Sequence, residues 1–256
     1  MRIISVLIFI LAMMLVDATS VLPGPLRLAA TFSRISDELD GISLGNCSLA
    51  NIALPLGDTK VKLPNPSPGL NLKYVALGRG TQNYSCPSST DSHEARDTSE
   101  PVATGAAATL FDASCIASTS ISLLHEMPVV IGRAPLGSVA LLAELLSHTT
   151  NSSDLIIGEH YFNAAGDPFF NLKLSGSDSW IITKKDASVT APRKVSHIAG
   201  VNGDDDVAWL KLGFKDGHGI KEVYRVVTFE GSAPSTCAGQ KETVLVDYAA
   251  EYWFYG

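Results

Sequence analysis

From Leu155 onward the chain reads as short apolar, aromatic and β-branched runs, each closed by turn-forming residues. The runs are Leu155 to Phe162, Phe169 to Leu174, Ser179 to Thr183, Val207 to Phe214, Glu222 to Phe229 and Thr243 to Tyr255. Between them lie Gly166-Asp-Pro168, Gly176-Ser-Asp178, Gly203-Asp204 and Asp216-Gly217. In such segments Gly permits positive φ, Pro fixes φ, and Asp or Ser bonds its own backbone. Two earlier runs, Leu72 to Cys86 and Gly105 to Asp112, have the same strand character. Strands do not alternate with helices, so a doubly wound nucleotide fold is disfavoured. The expected fold is mainly β, a β-sandwich or flattened barrel of about eight strands with one or two peripheral helices.

One helix is expected at Leu136 to His148, where Val139, Leu142, Leu145 and Leu146 share a face and Glu144 falls opposite. Residues 21–41 read as an N-terminal arm or short helix, and 42–256 as a single β-rich domain. Pro64, Pro66, Pro68 and Gly69 break regular structure before Leu72. Residues 87–102 read as a polar surface loop.

The first twenty residues have the layout of a secretory leader. Arg2 opens it, Ile3 to Val16 form an apolar run too short to span a bilayer comfortably, and Ala18 and Ser20 precede the expected cut. The leader contains one Arg and one Asp, so its removal leaves the formal charge at −7. An acidic chain without a basic cluster predicts no nucleic-acid binding, and with no second apolar run of spanning length no membrane insertion is expected. Cys47, Cys86, Cys115 and Cys237 form an even set in an exported chain, which predicts two disulfides and permits three connectivities. Sequons at Asn46, Asn83 and Asn151 point to the same exterior compartment.

Chemistry-bearing motifs are sparse. There is no nucleophile elbow, no zinc-protease helix motif and no phosphate loop. Gly78-Arg-Gly80 lacks the third glycine and following helix of a dinucleotide site, and reads as a strand bulge. Asp204-Asp205-Asp206 lacks the spaced ligands of a calcium loop and reads as a turn. No metal and no cofactor are expected. His125 and His160 each adjoin a glutamate, but neighbours in a strand point to opposite faces, which separates Glu159 from His160. His160 and Tyr161, with Trp180 or Trp209, are the candidate ligand-binding residues. At the C-terminus, period two places Tyr248, Tyr252 and Phe254 on one face and Trp253 and Tyr255 on the other.

Several segments together resemble a known family. They are Leu70 to Tyr84 with Cys86, Ala108 to Cys115, His160-Tyr-Phe162, Ala208 to Leu212, Glu222 to Arg225, Ala233 to Cys237 and Tyr248 to Tyr255. This ordered set is similar to the domain of unknown function 3455 family, common in secreted fungal proteins and also found in bacteria. The resemblance implies a fungal exported protein and supplies no catalytic residue. Fungal members often carry the label malate dehydrogenase, but no dinucleotide-binding βαβ unit or His-Asp-Arg catalytic set supports that activity here.

The leading expectation is a secreted, non-catalytic binding protein for a wall polysaccharide, a small ligand or a host protein. The alternatives are an enzyme of unrecognised type using His160 and a nearby carboxylate, and an effector acting on a host. For the disulfides, placing cysteines at the ends of adjacent candidate strands predicts Cys86–Cys115 and hence Cys47–Cys237.

Overall fold

The computed structural model describes residues 25–43, 47–56, 62–87, 98–150, 154–192 and 205–256. The leader-like first twenty residues, the sequons at Asn46 and Asn151, Asp204 and most of the loop expected at 87–102 lie outside the described residues. Helix α1 spans Pro25–Asp40. Strands β1 (Leu72–Ser85) and β2 (Val102–Asp112) follow, then helices α2 (Ser114–Thr119), α3 (Ile121–Gly132) and α4 (Leu136–Thr150). The chain continues through β3 (Ile156–Phe162), β4 (Pro168–Asn171), β5 (Trp180–Val189), β6 (Trp209–His218), β7 (Glu222–Glu230) and β8 (Thr243–Tyr255). The eight strands form a closed barrel in chain order, every neighbouring pair antiparallel, with β8 pairing back onto β1 from Ser85↔Thr243 to Leu72↔Tyr255. Closure pairs every strand on both sides and leaves no sheet edge.

Strand alternation sorts the side chains into two cores. Ala76, Leu110, Phe170, Ile181, Leu212, Val223, Tyr248, Tyr252 and Phe254 fill the barrel interior. Val75, Leu77, Leu123, Leu124, Tyr224, Val226, Ala249 and Trp253 form an outer core between the wall and the helices. The C-terminal aromatics divide as period two requires, with Tyr248, Tyr252 and Phe254 inside and Trp253 and Tyr255 outside.

Helix α3 packs against β7, β8 and β1. The Ser120 hydroxyl caps it by accepting from the Leu123 N–H at 3.3 Å. This helix and α2 were not expected from the sequence. The segment is apolar nearly all round and contains Pro128, so it shows no clear amphipathic stripe and carries a helix-breaking signal. In α4 the most buried line runs through Val139, Ala143 and Ser147, while Leu142, Leu145 and Leu146 are only partly covered. The buried face is therefore turned from the leucine face the spacing suggested. The run read as Phe169 to Leu174 leaves the sheet after Asn171 and ends in a short 3-10 turn, Lys173–Ser175.

The glycines of Gly78-Arg-Gly80 are not a bulge, because β1 keeps continuous register with both neighbours there. They are sites of close approach. A Cβ at Gly78 would lie 2.5 Å from the Tyr252 ring, and one at Gly80 would lie 1.9 Å from the Ala107 carbonyl oxygen. Arg79 points outward between them. Its Nε donates to the carbonyls of Ile131 and Ala134 at 3.2 Å each, and Nη1 donates to Asp247 Oδ1 at 3.0 Å. The guanidinium thus satisfies carbonyls at the C-terminal end of α3, where a cation is favoured.

The disulfides are Cys47–Cys115 and Cys86–Cys237, with Cα separations of 5.1 and 5.7 Å. The expected Cys86–Cys115 pairing fails on the geometry of an antiparallel hairpin. Such a hairpin puts the end of β1 beside the start of β2, as Ser85↔Val102 shows. Cys115 follows the end of β2 and so lies at the opposite end of the barrel. Cys86 instead meets the chain entering β8, where its N–H donates to the Glu242 carbonyl at 2.9 Å.

Candidate functional site

The four candidate residues do not converge on one pocket. His160 and Tyr161 are successive in β3 and take opposite faces. His160 points inward at 4% exposure, whereas Tyr161 points outward at 37%. Trp209, at the start of β6, is buried in the outer core at 4% exposure. Trp180 is half-buried at the start of β5. The exposed outer face therefore unites Tyr161 with Trp180, while His160 points inward and Trp209 is covered.

Phe169 of β4 lies between the two outward aromatics. The register pairs Tyr161 with Phe169 and Asn171 with Trp180. Ring centroids are 5.1 Å apart for Tyr161–Phe169 and 5.9 Å for Phe169–Trp180, both edge-on. Lys173 Nζ sits 5.8 Å from the Trp180 ring centroid, a cation–π distance. Beside the row, the Asn171 side-chain amide donates to Glu159 Oε1 at 3.4 Å. Polar groups that form hydrogen bonds thus border a partly exposed strip of rings. Sequence inspection missed Phe169 because its neighbour Phe170 has the same character. Only the register decides which of the two faces inward.

Inside the barrel His160 stacks on Phe170 with ring centroids 4.1 Å apart. Its Nδ1 lies 3.0 Å from the Phe169 carbonyl oxygen. A carbonyl only accepts, so Nδ1 carries the proton and Nε2 the lone pair. Burial lowers the His160 pKa to about 4, with the backbone bond opposing and the Arg225 charge assisting. Among the described residues no carboxylate forms an ion pair with this ring, and Glu159 lies on the outer face. The acid–base pairing considered for an enzyme is therefore not assembled around His160.

Arg225, Gln82, Tyr248 and Tyr252 share this interior with His160. The hydroxyls of Tyr248 and Tyr252 are 2.8 Å apart, and Arg225 Nη1 donates to Gln82 Oε1 at 3.4 Å. Sequence inspection singled out neither Arg225 nor Gln82 as a site residue. The available signal was a lone cation in the otherwise apolar run Val223 to Val227.

A second histidine lies on the outside. His125 Nδ1 of α3 is 2.7 Å from Glu251 Oε1 of β8, and the Trp253 indole N–H donates to Glu251 Oε2 at 3.0 Å. Glu251 is fully buried, so this network fastens α3 to the barrel wall. Asp206 acts as a turn residue, with Oδ1 accepting from the Glu230 N–H at 2.7 Å. Asn83 is half-buried in β1, and its amide oxygen accepts from the Thr81 hydroxyl at 2.9 Å. Among the described residues no group of three or more His, Cys, Asp or Glu is placed to hold a metal ion.

No curated protein and no solved structure matches this chain. A family model described as protein of unknown function (DUF3455) matches residues 66–256, a span that contains all eight barrel strands. With most of its length matched, the chain belongs to the DUF3455 family.

Proposed function

We propose that this is an exported, non-catalytic protein that binds polysaccharide at the cell exterior through the outer face of β3, β4 and β5. The row Tyr161–Phe169–Trp180 carries this reading. Sugar rings present C–H faces that stack on aromatic rings and hydroxyls that need directional partners. Asn171, Glu159 and Lys173 offer such partners beside the row. Export is supported by the leader-like first twenty residues, the sequons and the two disulfides, which persist in oxidising compartments.

Cosedimentation of the mature protein with insoluble chitin, β-glucan and cellulose tests the reading. Retention on one polymer is expected, with Tyr161→Ala and Trp180→Ala each weakening it about tenfold, or ~1.4 kcal/mol. No retention on any polymer, or equal retention by the double variant, would overturn it. Capture of a protein partner that Tyr161→Ala abolishes would move the same face to the host-protein reading.

A further inference from the structure

The barrel interior holds a cation without a counter-charge. Arg225 is 8% exposed, and its Nε and Nη2 donate to the single Ala208 carbonyl at 3.3 and 2.9 Å. The other buried cations among the described residues are each paired with an acid. Arg79 meets Asp247 at 3.0 Å, and Lys211 meets Glu222 at 3.1 Å. No carboxylate lies within ion-pair distance of Arg225 among the described residues. A buried charge left in this condition is costly, which is why native interiors pair their charges.

The groups around it are neutral and supply no counter-charge. Gln82 is 9% exposed, and its Nε2 is buried without an acceptor, although its Oε1 takes the Arg225 bond. The Tyr252 hydroxyl lies against Arg225 and the Tyr248 hydroxyl against Gln82. One tyrosine donates to the other, which leaves the pair one further hydrogen to place. His160 is neutral here and supplies no negative charge. The cluster carries one positive charge without a counter-charge and one orphan N–H donor, and a carboxylate, acceptor-only with two oxygens, is the group that balances both. Phe170 and Phe162 stand beside His160, and Phe162 is partly exposed, so the surroundings suit an apolar body behind the carboxylate. Barrels with this number of strands have an interior just wide enough for side chains or one small ligand.

We propose that the barrel interior around Arg225, Gln82, Tyr248 and Tyr252 is a binding site for a small organic carboxylate, with Arg225 as its charge partner and Gln82 Nε2 as a second donor. This site is separate from the outer aromatic row and stands whether or not that row binds polysaccharide.

Thermal unfolding with acetate, benzoate, decanoate, phosphate or chloride tests it on the disulfide-intact chain. At least one carboxylate is expected to raise Tm by about 5–10 °C at a hundred times its Kd. Arg225→Gln is expected to abolish the shift, and Gln82→Leu to raise Kd about tenfold. Gln82→Leu removes the orphan donor and the Oε1 that accepts from Arg225 but leaves the guanidinium in place, so it keeps the test open if Arg225→Gln does not fold. Silence across the carboxylates would overturn the site, and so would an undiminished shift in both variants. A shift with phosphate alone would overturn the carboxylate assignment. Polysaccharide retention that survives Gln82→Leu would show the two faces to be independent.

Discussion

The wall made of β7, β8 and β1 and the wall made of β3, β4 and β5 use the same two-residue alternation to different ends. From Tyr248 to Tyr255 both alternate sets of β8 are buried, Tyr252 and Phe254 among the interior residues and Trp253 and Tyr255 beneath the outer elements. In β3 only one set is covered, so His160 is enclosed while Glu159 and Tyr161 face solvent. Helix α3 and the segments packed with it account for the difference, because they lie on the first wall. A strand buried twice is committed to holding the fold. A strand buried once keeps a face that can change without unfolding the barrel.

This contrast is most easily broken at Trp253, which is fully buried in the outer core. Trp253→Ala is expected to cost about 3–5 kcal/mol in denaturant unfolding. A loss below about 1 kcal/mol would show that the outer core does not anchor this wall. The next effect is a pH dependence from inside the barrel. His160 has a folded pKa of about 4 against an unfolded value of 6.5, so the unfolded chain binds more protons between these values. Its contribution is fully present above about pH 6.5 and is lost as pH falls towards 4. That loss amounts to roughly 3 kcal/mol. His160→Gln should flatten that part of the stability–pH curve, as measured by urea unfolding across the range. A smaller effect is expected where α3 meets the wall. His125→Ala leaves the buried Glu251 carboxylate with only the Trp253 N–H, at a cost of about 2 kcal/mol. His125→Gln should recover part of it by restoring a donor. Smallest is Tyr161→Ala on the bare wall, which should change unfolding stability by no more than about 0.5 kcal/mol.

Much of the barrel was legible because strand alternation is local. Glu222 to Phe229 and Thr243 to Tyr255 matched observed strands almost residue for residue, and the two faces of the last strand followed from counting by two. What stayed hidden depended on distant partners. Helix α3 carries no strong stripe of its own and is held by Ser120, Arg79 and the wall beneath it. Trp209 and Trp180 are the same residue type near the starts of successive strands, yet one is buried and the other is half-exposed. The disulfides depended on which end of a strand each cysteine follows, and that direction appears only when the pairing is known. Arg225 was visible as a charge in an apolar strand, but its lack of an acidic partner is a property of the closed barrel.

The seam between β1 and β8 has a consequence for the nascent chain. Among the barrel strands the last in chain order is the one that closes the sheet, so β1 and β7 each have one side open until it docks. Two unpaired borders on a partly assembled molecule are templates for association with other copies. Cys86 follows β1 and Cys237 precedes β8, so the bond between them straddles this seam. That disulfide ties together the two strands whose pairing removes the sticky borders.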